Sequence, residues 1–416
     1  MRKFLYQRLI NEYNNFLRLS LNNRRLLLSY IFFLISYPFH EIFVNAYLWR
    51  QTEGIELLLV YNIFSFVGLP IGFYINGLLL KALNIKSLYL SGLLIQAATV
   101  ISIVFFKDFN YLNIAIYGMS AGFGSALFWS NRNYLSLIFT ERSTRLYSVS
   151  LESVSYSVLT ITVPVIVGFF ITLGPSTGNY SLELAYQISM VLNLILVSIS
   201  GLIIYLSNID DLNDPVVLLR NSSKFHNYNR VYLFFSEIFN GIFMFIPTIF
   251  ILKYAGEENI LGSVQSVGAL ATACIIYLVG RKFKEQSYYK ILILSWILMI
   301  IGAFLPFIYF QSATLILMLI ILNIGSEIKF IVTWSMIMNL VDNEVKDHYE
   351  LRYAYIADNE LFINLGRIAG ALILGILWVV FPADVALRYI VPIVVMIQLI
   401  SLFVARPLLR QHEYST

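Results

Sequence analysis

The sequence predicts an all-α membrane protein whose twelve transmembrane helices form two six-helix bundles. The chain has 416 residues, of which 59% are hydrophobic and 12% charged, and its mean hydropathy is +0.75. Soluble domains average about 25% charged residues, so this chain is too apolar to cover its surface in water. A transmembrane barrel is excluded because its strands would alternate in polarity, whereas the apolar stretches here are apolar on every face.

A helix needs about 20 mostly apolar residues to cross the hydrocarbon of a bilayer. Twelve such stretches, numbered here as spans 1 to 12, follow one another along the chain, at residues 26–50, 56–80, 87–106, 111–138, 146–173, 184–206, 229–253, 259–280, 288–310, 312–340, 353–382 and 386–406. The longest interior break, residues 207–228, has mixed charge and contains Pro215, which indicates a linker. It separates an N-terminal bundle, residues 26–206, from a C-terminal bundle, residues 229–406.

The placement of basic residues predicts the orientation. Of the 28 Lys and Arg residues, 21 lie in segments on the same side as the N-terminus and 4 lie on the opposite side. Basic residues accumulate on the cytoplasmic side of membrane proteins. We therefore expect a multi-pass protein of the cytoplasmic (plasma) membrane, with a cytoplasmic linker, a cytoplasmic tail at residues 407–416 and both termini inside.

Residues 1–25 are not predicted to be a signal peptide, because they are too polar and no small-residue cleavage site follows an apolar core. Apolar residues such as Phe4, Leu9 and Phe16 recur at helical spacing among basic residues. This pattern favours an amphipathic helix on the inner membrane surface. A loosely ordered basic tether remains the alternative.

Three short motifs accompany this topology. The turn after span 2 reads Gly-Phe-Tyr-Ile-Asn at residues 72–76, followed by Lys81 and Lys86; the turn after span 8 contains Gly-Arg-Lys at residues 280–282; span 11 contains Asn-Leu-Gly-Arg at residues 364–367. With twelve spans, both ends inside and a central loop, the chain resembles the major facilitator superfamily over essentially its whole length. Asn76 stands where that family has an acid, and the glycine-rich motif of many exporters is missing from span 5.

The resemblance implies a secondary transporter whose two bundles rock around a site at the middle of the membrane. It also implies that spans 1, 4, 7 and 10 line the central cavity. The sequence places ionisable residues in these four spans: Glu41, Arg132, Glu237, and the pair Glu327 and Lys329. An ionisable group at the bilayer centre costs about 2.5–3.5 kcal/mol on insertion scales, and such groups usually serve function. The alternative is that these polar stripes only join helices.

Depth in the membrane predicts partners for the charges. Arg132 and Glu152 lie about six residues from the same boundary, or ~9 Å at 1.5 Å per residue, so we expect a gate ion pair across the hairpin of spans 4 and 5. Glu327 and Arg367 also lie at matching depths in spans 10 and 11.

Glu41 and Glu237 have no obvious basic partner in the sequence and are the predicted proton carriers, because desolvation favours the neutral form of a carboxyl group. An imidazole titrates near pH 6.5 in water, so His40 is predicted to share this role. A neutral His40 that bonds to a neighbouring helix is the alternative.

The predicted substrate site combines carboxylates, basic groups and aromatic rings, which suits a small amphiphilic or zwitterionic molecule. Its residues are Tyr37, Trp129, Arg132, Asn240, Glu327, Lys329, Phe330, Trp334 and Arg367. Uptake of a sugar or small organic acid remains an alternative, as does a non-transporting sensor or assembly protein on the same scaffold. Protons are the expected coupling ion, and a monomer suffices for this mechanism.

Catalysis and cofactor binding find little support in the sequence. The four histidines do not occur at a metal-ligand spacing, and no glycine-rich loop ends in the Lys-Ser/Thr pair that binds nucleotide phosphates. We therefore predict no enzymatic activity, no metal, no cofactor and no nucleic-acid partner. The single cysteine, Cys274, cannot form an intramolecular disulfide.

Overall fold

The computed structural model describes residues 16–52, 54–139, 145–208, 216–219, 222–282, 288–345 and 351–413, and these residues are helical with no strand. The twelve spans are Leu21–Thr52, Glu56–Leu79, Ile85–Phe106, Tyr111–Phe139, Arg145–Thr177, Leu182–Tyr205, Lys224–Tyr254, Glu258–Lys282, Tyr288–Ile308, Ser312–Val345, Arg352–Val380, and Ala383–Gln398 with Ile400–Glu413.

The predicted fold class is confirmed. Ten helical segments among the described residues are long and apolar enough to cross a membrane. Helices of 29 and 25 residues, Tyr111–Phe139 and Glu258–Lys282, occupy the two remaining predicted positions.

The two faces of the molecule take their names from the positions of the chain ends. The terminal face is where span 1 begins and span 12 ends, and the other is the opposite face.

Several helices extend beyond the apolar stretches. Span 1 begins at Leu21, because the side chain of Ser20 caps it by accepting a hydrogen bond from Asn23 N at 3.2 Å. The last helix continues to Glu413 through most of the predicted tail. Residues 1–15 of the predicted amphipathic segment, and residues 414–416, lie outside the described residues.

The described residues of the linker lie at the terminal face, and span 7 begins at Lys224 within the predicted linker. Ser223 caps this helix by accepting a hydrogen bond from His226 N at 3.0 Å. Of the linker before it, residues 216–219 and 222–223 are described. Val217 packs against Gly77 of span 2 and Tyr353 of span 11. The linker therefore contributes an apolar side chain to the junction of the two bundles.

Span 7 crosses span 11 with backbone against backbone. A Cβ atom on Gly241 would lie 2.0 Å from Arg367 O, and one on Gly370 would lie 2.0 Å from Ile238 O. Small residues allow membrane helices to approach this closely. The crossing places Glu237 of span 7 beside Arg367 of span 11. These are the two charged residues nearest to the crossing point.

The two bundles meet mainly along spans 2 and 11 and along spans 5 and 8. In the second pair, a Cβ atom on Gly262 would lie 2.1 Å from Pro164 O. Near the opposite face, the end of span 1, Val44–Thr52, also packs against the end of span 7, Ile246–Tyr254. In the part of the chain that the structure describes, spans 4 and 10 do not pack closely together. The bundles are thus joined more tightly toward the opposite face.

We expect Gly370→Ala to lower the unfolding temperature of the purified protein in detergent. Alanine is the better helix former by about 1 kcal/mol, but its methyl group would meet Ile238 O at 2.0 Å, and overpacking costs about 1–3 kcal/mol. Gly375→Ala in the same helix is the matched control, because its nearest contact would be Leu59 Cδ1 at 3.6 Å. Equal unfolding temperatures for the two variants would contradict a tight crossing.

Candidate functional site

Glu41 lies on a distortion of span 1. The α-helix Leu21–Pro38 passes into a π-helix at Phe39–Phe43, and the α-helix resumes at Val44. Single π-helical turns inside α-helices occur frequently at functional sites. Among the described residues, the carboxylate of Glu41 makes no ion pair within 4.0 Å.

Three tyrosines surround Glu41. Tyr37 of span 1, Tyr61 of span 2 and Tyr156 of span 5 each lie within electrostatic range of its carboxylate. Tyr156 also interacts with Glu327 of span 10, and its side chain is 42% exposed. Tyr156 is therefore an exposed side chain that interacts electrostatically with an acid of each bundle.

Glu237 and Arg367 form the ion pair at the centre of the C-terminal bundle. Arg367 Nε donates to Glu237 Oε2 at 3.1 Å. Asn240 Nδ2 donates to both carboxylate oxygens of Glu237 at 2.9 Å. The expectation that Glu237 lacks a basic partner is therefore wrong. Sequence spacing missed the pair because it depends on where spans 7 and 11 cross, and Arg367 bonds to Glu237 rather than to Glu327.

Arg367 connects the charges of the two bundles. It interacts electrostatically with Glu41 of span 1 and Glu360 of its own helix, and its guanidinium lies 6.0 Å from the ring centre of Phe66 in span 2. The side chain is nonetheless 23% exposed. A side chain that has partners on four helices and retains this exposure borders an open space among them.

The predicted substrate-site residues of span 10 lie in different surroundings. Lys329 is 1% exposed, and its Nζ donates to Ser236 O of span 7 at 2.5 Å. Glu327 is half-buried and faces Tyr156. Phe330 and Trp334 stack on each other at 6.2 Å and are 52% and 44% exposed. Lys329 thus points into the C-terminal bundle, away from the space that Arg367 borders.

Arg132 and Trp129 of span 4 belong to an interior cluster of the N-terminal bundle. Arg132 Nη2 donates to Glu152 Oε2 at 2.5 Å, and its guanidinium lies 4.0 Å from the ring centre of Tyr30. Trp129 packs edge-on against Phe33 at 5.4 Å. Spans 1, 4 and 5 are therefore tied together at one depth, and Glu152 neutralises the charge of Arg132.

His40 points into the N-terminal bundle although it is adjacent to Glu41 in sequence. Its ring is 5% exposed, lies 5.7 Å from the ring of Phe33 and 5.3 Å from that of Tyr37, and approaches the amide of Asn193 in span 6. Successive helical residues point in different directions. The two predicted proton-binding groups of span 1 therefore occupy different environments.

An ion pair joins the bundles at the opposite face. Arg50 of span 1 donates to both carboxylate oxygens of Glu258 in span 8, at 3.0 and 3.2 Å. Tyr186 of span 6 donates a third hydrogen bond to Glu258 at 2.9 Å. Because Glu258 is 1% exposed, this bidentate pair closes the junction between the bundles at that face.

Uncharged side chains join the bundles at the terminal face. Asn76 of span 2 and Asn131 of span 4 exchange hydrogen bonds at 3.1 and 2.8 Å. Asn76 also donates to the hydroxyl of Tyr353 in span 11 at 3.1 Å, and that hydroxyl donates to Phe73 O at 2.7 Å. Asn76, which stands where the similar family has an acidic residue, therefore takes part in a network of side-chain amide hydrogen bonds.

Sequence reasoning missed Tyr61 and Tyr156 in the site. Tyr156 lies four residues after Glu152, so the two share a face of span 5. This spacing could have predicted from the sequence that Tyr156 lies on the same face as Glu152. Tyr61 carries no such signal, because only the approach of span 2 to span 1 brings it near Glu41.

The long apolar helices define the class as a multi-pass integral membrane protein. The fold is that of the major facilitator superfamily. The chain is similar to the nucleoside transporter NupG (14% identity, TM-score 0.62, 94% of this chain and 100% of that one). It is also similar to the superfamily transporter FucP in its outward conformation (13% identity, TM-score 0.61, 94% and 99%).

A protein relative shares more of the sequence than these structures do. YqgE of Bacillus subtilis, described as an uncharacterized protein, is 23% identical over 351 residues, which cover 83% of this chain and 80% of the relative. No model of a known protein family matches the chain. The structural neighbours are transporters rather than enzymes.

We expect Glu152→Gln to lower the unfolding temperature, because it leaves the guanidinium of Arg132 without its charged partner. Breaking a buried ion pair costs about 3–5 kcal/mol. Lys107→Gln is the control, since the pair of Lys107 with Glu183 is 47% and 30% exposed and such pairs contribute about 0–1 kcal/mol. Thermal unfolding in detergent measures both, and a Glu152 variant as stable as the control would contradict a structural role for the pair.

Proposed function

We propose that the protein is a secondary active transporter that moves a small amphiphilic or zwitterionic molecule by alternating access, coupled to protons. One observation carries this proposal: carboxyl and basic groups of both bundles, from spans 1, 7, 10 and 11, interact with one another in the interior. Ionisable groups inside a membrane mark substrate and ion pathways. Transporter sites lie at such bundle interfaces near the bilayer midplane.

The charge balance favours a substrate that carries a positive group. The acids Glu41, Glu237, Glu327 and Glu360 outnumber Arg367, the base that interacts with both bundles, and they remain in excess when the buried Lys329 is added. A small organic acid would need more basic than acidic groups around the site, so its uptake is the weaker alternative.

Each end of a zwitterion has a matching group in the site. Glu41 and the rings of Tyr37 and Tyr156 would attract an ammonium group through charge and cation–π interactions. Arg367 would bind a carboxylate in bidentate fashion once Glu237 releases it. Asn240 and Glu327 border these groups, and Phe330 and Trp334 offer apolar surface to an amphiphile.

Glu41 is the proposed principal proton carrier. Like Glu327 and Glu360, it makes no ion pair within 4.0 Å among the described residues, and desolvation favours the neutral form of such an acid. Glu41 also lies on the π-helical turn of span 1. Glu237 is the second carrier, since protonating it would weaken its bond to Arg367.

Alternating access would make and break the contacts at the two faces. The Arg50–Glu258 pair holds the opposite face closed in this structure, and its separation would open the site there. The Arg132–Glu152 pair is the proposed gate pair on the terminal side, where it would stabilise one arrangement of spans 1, 4 and 5. The basic residues in the loops of the terminal face support a cytoplasmic location for that face.

The decisive experiment uses the full chain in sealed vesicles that contain a pH-sensitive dye. Zwitterionic, cationic, anionic and sugar solutes are added singly under an imposed pH gradient, and proton movement and labelled solute uptake are recorded. We expect a zwitterionic or amphiphilic solute to move with protons. Glu41→Gln should lose accumulation driven by the gradient, because its amide cannot carry a proton.

Asp342→Asn is the control, because Asp342 pairs with Arg352 at the terminal face, away from the site. It should transport like the unmodified chain. Solute flux that ignores pH and survives both Glu41→Gln and Glu237→Gln would refute the proton-carrier roles. Gradient-driven uptake of anions alone would refute the proposed substrate class.

We further expect Glu258→Gln to favour opening at the opposite face. A Tyr156→Cys reporter in a Cys274→Ala background would be labelled by an impermeant maleimide added from that side. Loss of the bidentate pair should raise the labelling rate about fivefold or more, the population change that corresponds to about 1 kcal/mol.

Glu257→Gln is the matched control for this experiment, because Glu257 is the adjacent, exposed acid. It should leave the labelling rate of the reporter unchanged. Identical rates for the Glu257 and Glu258 variants would show that the Arg50–Glu258 pair does not hold that face closed.

A further inference from the structure

Lys329 is a buried cation bound to a main-chain carbonyl group. Its side chain is 1% exposed, and its Nζ donates to Ser236 O at 2.5 Å. Gln398 Nε2 of span 12 donates to the same oxygen at 2.7 Å. One carbonyl group at the end of a helix thus accepts bonds from side chains of two other spans.

The carbonyl group lies where span 7 loses its regular helical structure. The helix Lys224–Glu237 ends one residue after Ser236, a single turn follows at Asn240–Phe243, and the helix resumes at Ile246–Tyr254. The C-terminal end of a helix carries partial negative charge and attracts cations. In transporters with interrupted helices, such ends and their free carbonyl groups coordinate the coupling cation.

Two carboxylates lie in the electrostatic surroundings of Lys329, although neither pairs with it within 4.0 Å in the described part of the chain. Lys329 interacts electrostatically with Glu237, which follows Ser236, and with Glu327, two residues earlier on its own helix. The other nearby cation, Arg367, repels it, and already bonds to Glu237 at 3.1 Å. The surroundings of Lys329 therefore combine a bonded main-chain oxygen at the end of a helix with two nearby acids, and both features also attract a small monovalent cation.

We propose that the ammonium group of Lys329 is a tethered cation that fills a monovalent-cation site at Ser236 O, where span 7 is interrupted, with the charges of Glu237 and Glu327 in its surroundings. The site therefore needs no alkali metal ion, because a permanently attached charge balances its acids. Removing the side chain would empty the site for a small alkylammonium or sodium ion. This inference deepens the proposed function, since it leaves protons as the coupling ion there, but its test does not depend on transport.

The test is chemical rescue of Lys329→Ala, with the full chain purified in detergent. Alanine removes three methylene groups and the ammonium group, so propylammonium matches what is lost. We expect the variant to unfold about 5 °C or more below the unmodified chain, the shift that about 1–2 kcal/mol produces in a large domain. Propylammonium should recover at least half of this loss, and methylammonium or sodium less.

Lys329→Met is the matched control, because methionine fills the space but carries no charge. It should be destabilised and gain nothing from propylammonium. Lys253→Ala is the second control: Lys253 pairs with the 70% exposed carboxylate of Asp384, so no enclosed site is created. N-methylglucamine chloride at equal concentration corrects for ionic strength in every titration.

Three results would overturn the proposal. They are a folded Lys329→Ala that no ammonium or sodium ion stabilises, equal stabilisation of Lys329→Ala and Lys329→Met, and sodium-specific stabilisation of the unmodified chain. If Lys329→Ala does not fold, Lys329→Met decides. A Met variant as stable as the unmodified chain would refute the need for a cation, and a destabilised one would support it. Failure of proton-coupled transport would leave all of these outcomes unaffected.

Discussion

The interior of this protein depends on one constraint: a charged side chain inside a membrane needs an opposite charge or a polar partner, because no water is present to solvate it. Arg367 bonds to Glu237, Arg132 to Glu152, and Lys329 to a main-chain oxygen. Each of these contacts joins two different spans. The ion pairs therefore fix helix positions as well as charge, and they leave Glu41, Glu327 and Glu360 as the interior acids without a paired base in the described part of the site.

Helix irregularities coincide with this charged interior. Span 1 turns π-helical around Glu41, and span 7 loses regular helical structure directly after Glu237. Both irregular segments are surrounded by protein, where freed main-chain groups can find partners. The glycine crossing of spans 7 and 11 also shapes this charged interior, since it brings Arg367 close enough to bond to Glu237.

The two faces of the bundle interface differ in chemistry. A bidentate ion pair joins Arg50 and Glu258 at the opposite face, whereas amides and the hydroxyl of Tyr353 join spans 2, 4 and 11 at the terminal face. Separating charges costs more than exchanging neutral hydrogen bonds with water. Under the proposed mechanism, the opposite face would therefore open only when binding in the centre supplies a compensating interaction.

The sequence by itself determined the membrane class, the twelve spans and the spans that carry charge, because hydropathy and the cost of buried ions are local properties of the chain. The ion pair of Arg132 with Glu152 was predictable as well, since both residues belong to one hairpin and lie at equal depth. Only the tertiary structure decided that Arg367 bonds to Glu237, that Lys329 points away from the open space and that Tyr61 and Tyr156 approach Glu41. These contacts join helices far apart in sequence, and their geometry depends on where the helices cross, which no spacing along a single helix encodes.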